Sequence, residues 1–296
     1  HQQTAKEPHT SRSHPARHPR RPRPRGRGQR RGPRLRLPPR LRPGRRARLR
    51  APLHVTVVGF GAFANHDSTP QDALALGLLL SLRQEEPLLS CAYLELESRN
   101  AASLATLKSS LGRFSGAYLI GAEGDVRAQT LAPLGAVARP SPTVDGCVVI
   151  SGGLGGMGQT LAKEFAEHTR AKVVLLHRRT EGVGDCAFAN YRCDINDAAR
   201  VREVFGQIRK DHGPIKGIVH AAGLAGEGIL LTKEQAAYER VLEPKVTGTW
   251  NLHEASLGDS LDFFILASSR TALTGAAGQC DYAAANAYLN AFAECR

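Results

Sequence analysis

Four side chains near the end of this sequence have the types and spacing needed to pass a proton to a carbonyl oxygen. Ser269 is followed thirteen residues later by Tyr282 and one helical turn after that by Asn286, with Lys245 upstream. A free phenol titrates near pH 10 and is a weak acid at neutral pH, so a donor tyrosine wants an ammonium nearby to stabilise the phenolate left behind. Lys245 is the candidate for that ammonium and Ser269 for a hydrogen bond to the same carbonyl. Asn286 stands at i+4 on the tyrosine's helical face. Taken singly, each is an ordinary surface or core residue; the combination reads as the site of a carbonyl reductase.

A hydride source is readable upstream. Gly153, Gly155 and Gly158 form G-x-G-x-x-G, and Gly152, Gly156 and Gly158 form a wider-spaced version of the same turn. Such a turn lets backbone N–H groups and a helix N-terminus meet a pyrophosphate. It lies after an apolar strand and before an amphipathic helix, the context a dinucleotide fingerprint requires. After the next strand, where an acid would receive the ribose 2′-hydroxyl of NAD, the chain has Arg178 and Arg179. Two guanidinium groups suit a 2′-phosphate, so NADPH is the expected cofactor. Asp194, at the end of a third strand, is expected to accept a hydrogen bond from the adenine amine; its other reading is a helix cap.

The elements that must carry these residues alternate strand and helix. Strands are expected at 147–151, 172–177, 190–195, 217–223 and 262–268. Helices are expected at 159–169, 198–210 and 233–256, with a further one carrying Tyr282. This order predicts an α/β fold with a doubly wound parallel sheet. An earlier βα stretch runs from Leu53: a strand at 54–60, a helix at 72–86, a strand at 91–97, a helix at 101–111 and a strand at 116–121. It lacks a phosphate loop and reads as a scaffold without chemistry. A proline-rich connector, 138–143, joins the two.

Residues 1–50 hold 18 of the 40 Lys+Arg and 1 of the 27 Asp+Glu, so the formal charge of +13 belongs to that stretch alone. It has no aromatic residue and few leucines, and it reads as disordered. A linker or a misjoined gene segment accounts for it better than a nucleic-acid tail, and its nine prolines oppose an amphipathic targeting helix. No apolar run is long enough to span a bilayer. Six cysteines (Cys91, Cys147, Cys186, Cys193, Cys280 and Cys295) show no zinc spacing, so no metal is expected, and they read as thiols of a reducing, cytoplasmic protein. The only methionine is Met157, so the sequence reads as part of something longer.

From Asp145 onward the chain resembles the ketoreductase domains of modular polyketide synthases, members of the short-chain dehydrogenase/reductase superfamily. The resemblance rests on ISGGLGGMG, LLHRR, CDINDAARV, GIVHAAG, EPKVTGTWNLHE, FILASS and GQCDYAAANAYLNAFA. In that family Lys and Asn exchange the places they hold in ordinary short-chain reductases, as Lys245 and Asn286 do here. The resemblance implies a Rossmann fold in which Ala221, Ala222 and Gly223 also line the cofactor. It further implies a truncated, cofactor-free subdomain before it, matched through ALALGLLLSLRQEEP.

The organisation expected is therefore a basic segment 1–50, a structural subdomain 51–140 and a catalytic subdomain 141–296 that stops before the family's last strand and substrate lid. The implied activity is NADPH-dependent reduction of a β-ketoacyl thioester held by phosphopantetheine on an acyl carrier protein, beside neighbouring synthase domains. A catalytically silent segment of such a synthase, or a free-standing ketone reductase, are the alternatives. Two departures stand out. The stretch from His177 to Phe188 is short for a helical crossover, and the family's stereochemical markers are replaced by Gly226, Glu227 and Thr274.

Overall fold

In the computed structural model the described residues are 49, 51–60, 62–63, 70–130, 132–133, 144–179 and 187–296. The basic stretch 1–50 (residue 49 apart), the connector 138–143 and Cys186 lie outside them. The first sheet is built from β1 (Leu53–Gly59), β2 (Leu89–Leu96), β3 (Gly116–Ile120) and β4 (Val126–Ala128), in that order. Its first three strands are parallel and β4 is antiparallel to β3. Strand β4 has no signal in the sequence, because its three residues are all exposed and too few to show a period. Helices α1 (Asp72–Glu85) and α2 (Ala101–Ser110) make the crossovers, and the Asn100 side chain caps α2 by accepting from the Ser103 N–H.

Helix α1 is apolar nearly all round, the mark of a helix covered on more than one side. Leu76, Leu79 and Leu80 pack on Cys91 and Tyr93 of β2. Ala73 and Leu74 pack instead among residues of the last helix.

The second sheet contains β5 (Cys147–Ser151), β6 (Lys172–His177), β7 (Ala189–Arg192), β8 (Ile215–His220) and β9 (Phe263–Leu266). All are parallel, in the order β7-β6-β5-β8-β9. Helix α3 (Gly156–His168) covers one face, with Ala162 buried against Val148, Ile150 and Leu175. Helices α4 (Ala198–His212) and α5 (Gln235–Ala255) cover the other. There Val201, Val204, Phe205 and Leu252 meet Val149, Val174 and Leu176. Helices on both faces make the sheet doubly wound, and the strand order reverses at β5, where such folds open a crevice. A 3₁₀ turn at Leu230–Thr232, α6 (Thr271–Thr274) and α7 (Cys280–Cys295) complete the unit.

Two differences from the sequence reading have simple causes. Helix α3 starts three residues before the expected 159, because Gly156 and Gly158 belong to its first turn. Strand β7 pairs in parallel with β6 from Val174↔Ala189 to His177↔Arg192, so the short crossover reaches its partner; residues 180–186 lie outside the described ones.

Helix α1 crosses α7 at very short range. A β-carbon on Gly77 would sit 2.4 Å from the Ala283 carbonyl oxygen, and Ala73, Ala272, Ala287 and Ala291 fill the seam. Among the described residues no helix is long and apolar enough to cross a membrane.

Candidate active site and cofactor cleft

A cavity of about 380 Å³ opens at the C-terminal ends of β5, β6 and β8. Its lining includes Gly152, Gly155, His177, Arg178, Arg179, Asp194, Ala221, Ala222 and Gly223. Gly152 takes φ +70°, a conformation L side chains avoid, and a β-carbon on it would lie 2.8 Å from the Ala222 backbone. Gly158 packs so closely that a β-carbon would lie 2.4 Å from the Gly152 oxygen, whereas Gly156 faces open space. The turn is thus pulled tight from beneath, and Gly155 sits at the N-cap of α3 with its helix N-terminus beside the cavity. Gly153 serves packing: a β-carbon there would meet Leu175 at 2.6 Å.

At the far end Arg178 and Arg179 are exposed on the rim, directly after β6. Asp194 accepts from the Asn196 N–H at 3.0 Å. The cap of α4 is Asp197, which accepts from the N–H groups of Ala199 and Arg200, so the capping alternative for Asp194 is removed. Two residues that line this end each keep a buried atom without a hydrogen-bond partner, Nδ1 of His177 and Oδ1 of Asn196. Sequence reasoning missed both. Buried polar atoms are almost always paired, so these two are exceptions; what fits a phosphorylated dinucleotide is the glycine cradle with the two guanidinium groups on the rim. Burial raises the Cys193 thiol in this wall to about 11, which leaves it protonated and inert.

Beside the cavity, at Gly223, begins the group of residues singled out for chemistry. Gly223 lines the cavity and abuts Lys245, whose Cε would lie 2.9 Å from a β-carbon there. The Lys245 side chain is buried, and desolvation lowers it to about 8. Its Nζ donates to the Ala267 carbonyl at 2.8 Å and lies 5.9 Å from the centre of the Tyr282 ring. Asn286, fully buried one turn along α7, donates through Nδ2 to the Tyr282 carbonyl at 2.7 Å, while its Oδ1 has no partner. Lys245, Tyr282 and Asn286 therefore come together. The hydroxyl of Ser269 accepts from the Thr271 N–H and hydroxyl within its own turn. Its neighbour Ser268 donates to the Asn286 carbonyl at 3.2 Å, which ties that turn to α7.

His220 is a third residue without an assigned role in the sequence. Its Nε2 lies 3.0 Å from the carbonyl of Pro244, which can only accept, so Nε2 carries the proton and Nδ1 accepts from the Ser151 hydroxyl at 2.6 Å. Burial, and then the Lys245 charge, hold the imidazole down to about 3 and therefore neutral. It links the ends of β5 and β8 to α5 one residue before Lys245.

A family model described as the KR domain matches residues 146–296. The squalestatin tetraketide synthase of Phoma sp. (strain C2932) is 30% identical over an alignment of 237 residues that covers 76% of this chain and 9% of that protein. A ketoreductase domain from the bacillaene assembly line superposes with a TM-score of 0.72 at 26% identity, over 83% of this chain and 61% of the other. A structure of A-type ketoreductases from a modular polyketide synthase gives 0.70 at 28%, over 84% and 57%.

Proposed function

Since this chain belongs to the KR domain family, the ketoreductases of polyketide synthases, we propose that its cleft binds NADPH and that Tyr282 protonates the ketone oxygen of a β-ketoacyl thioester carried by an acyl carrier protein. The observation that carries this reading is the juxtaposition of the buried Lys245 ammonium and the Tyr282 ring, with Lys245 against Gly223 in the wall of the glycine-lined cleft.

When bound, NADPH supplies the hydride. The chain's own part is to hold, orient and protonate. Arg178 and Arg179 would hold the 2′-phosphate, Asp194 the adenine amine, and the α3 N-terminus the pyrophosphate. Ala221, Ala222 and Gly223 would line the cofactor's side of the cleft. Ser269, whose oxygen accepts from Thr271, keeps its own proton to donate to the substrate carbonyl and orients it beside the Tyr282 hydroxyl. The Tyr282 O–H proton passes to the developing alkoxide, and the Lys245 charge stabilises the phenolate that remains. The unpaired Oδ1 of Asn286 receives a water through which the phenolate is reprotonated. The first sheet, with no phosphate turn of its own, is scaffold for this unit. The span of 9% of a longer relative fits a domain working beside neighbouring synthase domains.

The test is Tyr282→Phe in the full-length natural protein, with a β-ketoacyl thioester mimic as substrate. The parent should bind NADPH more tightly than NADH, and the variant should keep that binding because the ring still packs. Turnover should fall by about a hundred- to ten-thousandfold, the usual worth of general-acid catalysis. A variant reducing the mimic at the parent's rate would show that the proton comes from elsewhere.

A further inference from the structure

Directly before Tyr282 lies a buried ion pair that the chemistry above does not use. Asp281 Oδ2 and Lys233 Nζ are 2.5 Å apart, and their side chains are only 1% and 2% exposed. The other Asp281 oxygen, Oδ1, accepts from the backbone N–H of Tyr282 at 2.8 Å. One carboxylate thus grips the backbone of the tyrosine and a lysine from a different segment, the loop between β8 and α5. That loop approaches Asp281 a second time at Gly226, where a β-carbon would fall 2.0 Å from Oδ1, so no larger residue fits unless Asp281 moves.

Glu85, at the end of α1 in the first sheet's layer, clasps the same two segments. Its Oε2 accepts from the Leu230 N–H at 2.7 Å and its Oε1 from the Gly278 N–H at 3.0 Å. Leu230 lies three residues before Lys233, and Gly278 three before Asp281. Two carboxylates therefore fasten the loop to the start of α7.

Burying an ion pair is a poor route to stability, because removing two charges from water costs about what their attraction returns. What such a pair supplies is position: the charges tolerate only one arrangement. The arrangement here fixes the first turn of α7, and with it where the Tyr282 side chain leaves the helix beside Lys245. We propose that Asp281 and Lys233, braced by Glu85, are positioning residues for the proton donor. This rests on the reading of Tyr282 given above.

The experiment replaces the pair by apolar residues of similar size, Lys233→Met with Asp281→Leu, in the full-length natural protein. It measures kcat and KM for the thioester mimic, NADPH affinity and Tm. With positioning lost, kcat should fall by about ten- to a hundredfold, the scale of a displacement near 1 Å, while KM, NADPH affinity and Tm stay near the parent's values. Should the double variant fail to fold, Glu85→Gln, which removes one of the two acceptors that hold the Leu230 and Gly278 N–H groups, is read in the same way. A folded variant with the parent's kcat overturns the inference, as does a loss of kcat that only tracks a loss of Tm. Tyr282→Phe run alongside separates the two ideas. An active Tyr282→Phe protein sinks the reading of the donor, whereas an inactive one beside fully active pair variants sinks only the brace.

Discussion

Lys245 titrates within the range in which enzymes are assayed, and its two consequences have opposite signs. Burial lowers it from 10.5 to about 8. The ammonium that would stabilise the phenolate is thus present below about pH 8 and lost above it, so turnover should fall as pH rises through about 8. Stability moves the other way. Below about 8 both folded and unfolded chains hold the proton and the buried charge costs folding energy. Between about 8 and 10.5 the unfolded lysine keeps a proton the folded one has released, so this residue's contribution to stability rises with pH. Rate and Tm followed across that window should diverge in the parent, and the Lys245→Met variant should lose both slopes. A parent rate that stays level through about pH 8 would deny the ammonium its role. At this scale the sequence made Tyr282, Lys245 and Asn286 legible through spacing alone. It could not reveal the pairing of Lys233 with Asp281, 48 positions away, or the unpaired atoms of His177 and Asn196, since neither pairing nor its absence follows from residue type.

Between elements, His220 joins β5, β8 and α5 through two hydrogen bonds in a fully buried setting. Replacing it with Phe keeps the bulk but leaves the buried Ser151 hydroxyl without this partner and the Pro244 carbonyl with its place in the α5 ladder alone, at about 1–3 kcal/mol for the hydroxyl. A clear drop in Tm is expected at neutral pH. A smaller difference is expected in acid. The folded imidazole stays neutral down to about 3, whereas an unfolded one takes a proton near pH 6.5, so the parent itself loses stability as pH falls below that value. A His220→Phe protein as stable as the parent at pH 7 would contradict this. Strands β5 and β6 were readable to the residue because they are continuous apolar runs buried on both faces. Strands β8 and β9 end two to three residues before the expected 223 and 268, where Ala221 to Gly223 and Ala267 to Ser269 leave the sheet to line the cleft or turn towards α7. Apolar content alone does not distinguish a strand from the loop that follows it.

The described chain is held together by the seam between α1 and α7. In an exposed helix, Gly→Ala stabilises by about 0.8–1 kcal/mol. At Gly77 the added carbon would lie 2.4 Å from a carbonyl of α7, and overpacking of this kind costs about 1–3 kcal/mol. Gly77→Ala should therefore lower Tm and, because α7 carries Tyr282, lower turnover with it. A stabilised variant would show the seam to be slack. The sequence announced α1 as an unusually apolar helix, but not which second surface covered it, because the residues that do so, Ala283, Ala284, Ala287 and Ala291, are small and carry little hydrophobic signal.

That seam changes where such a protein can be recombined. A chimaera joined in the connector 138–143 would look conservative, since it keeps every residue of the cleft. Yet it would give α7 a foreign partner helix, without the glycine that admits its backbone and without the Glu85 carboxylate that holds its first turn. The unit of inheritance for this candidate site starts at α1.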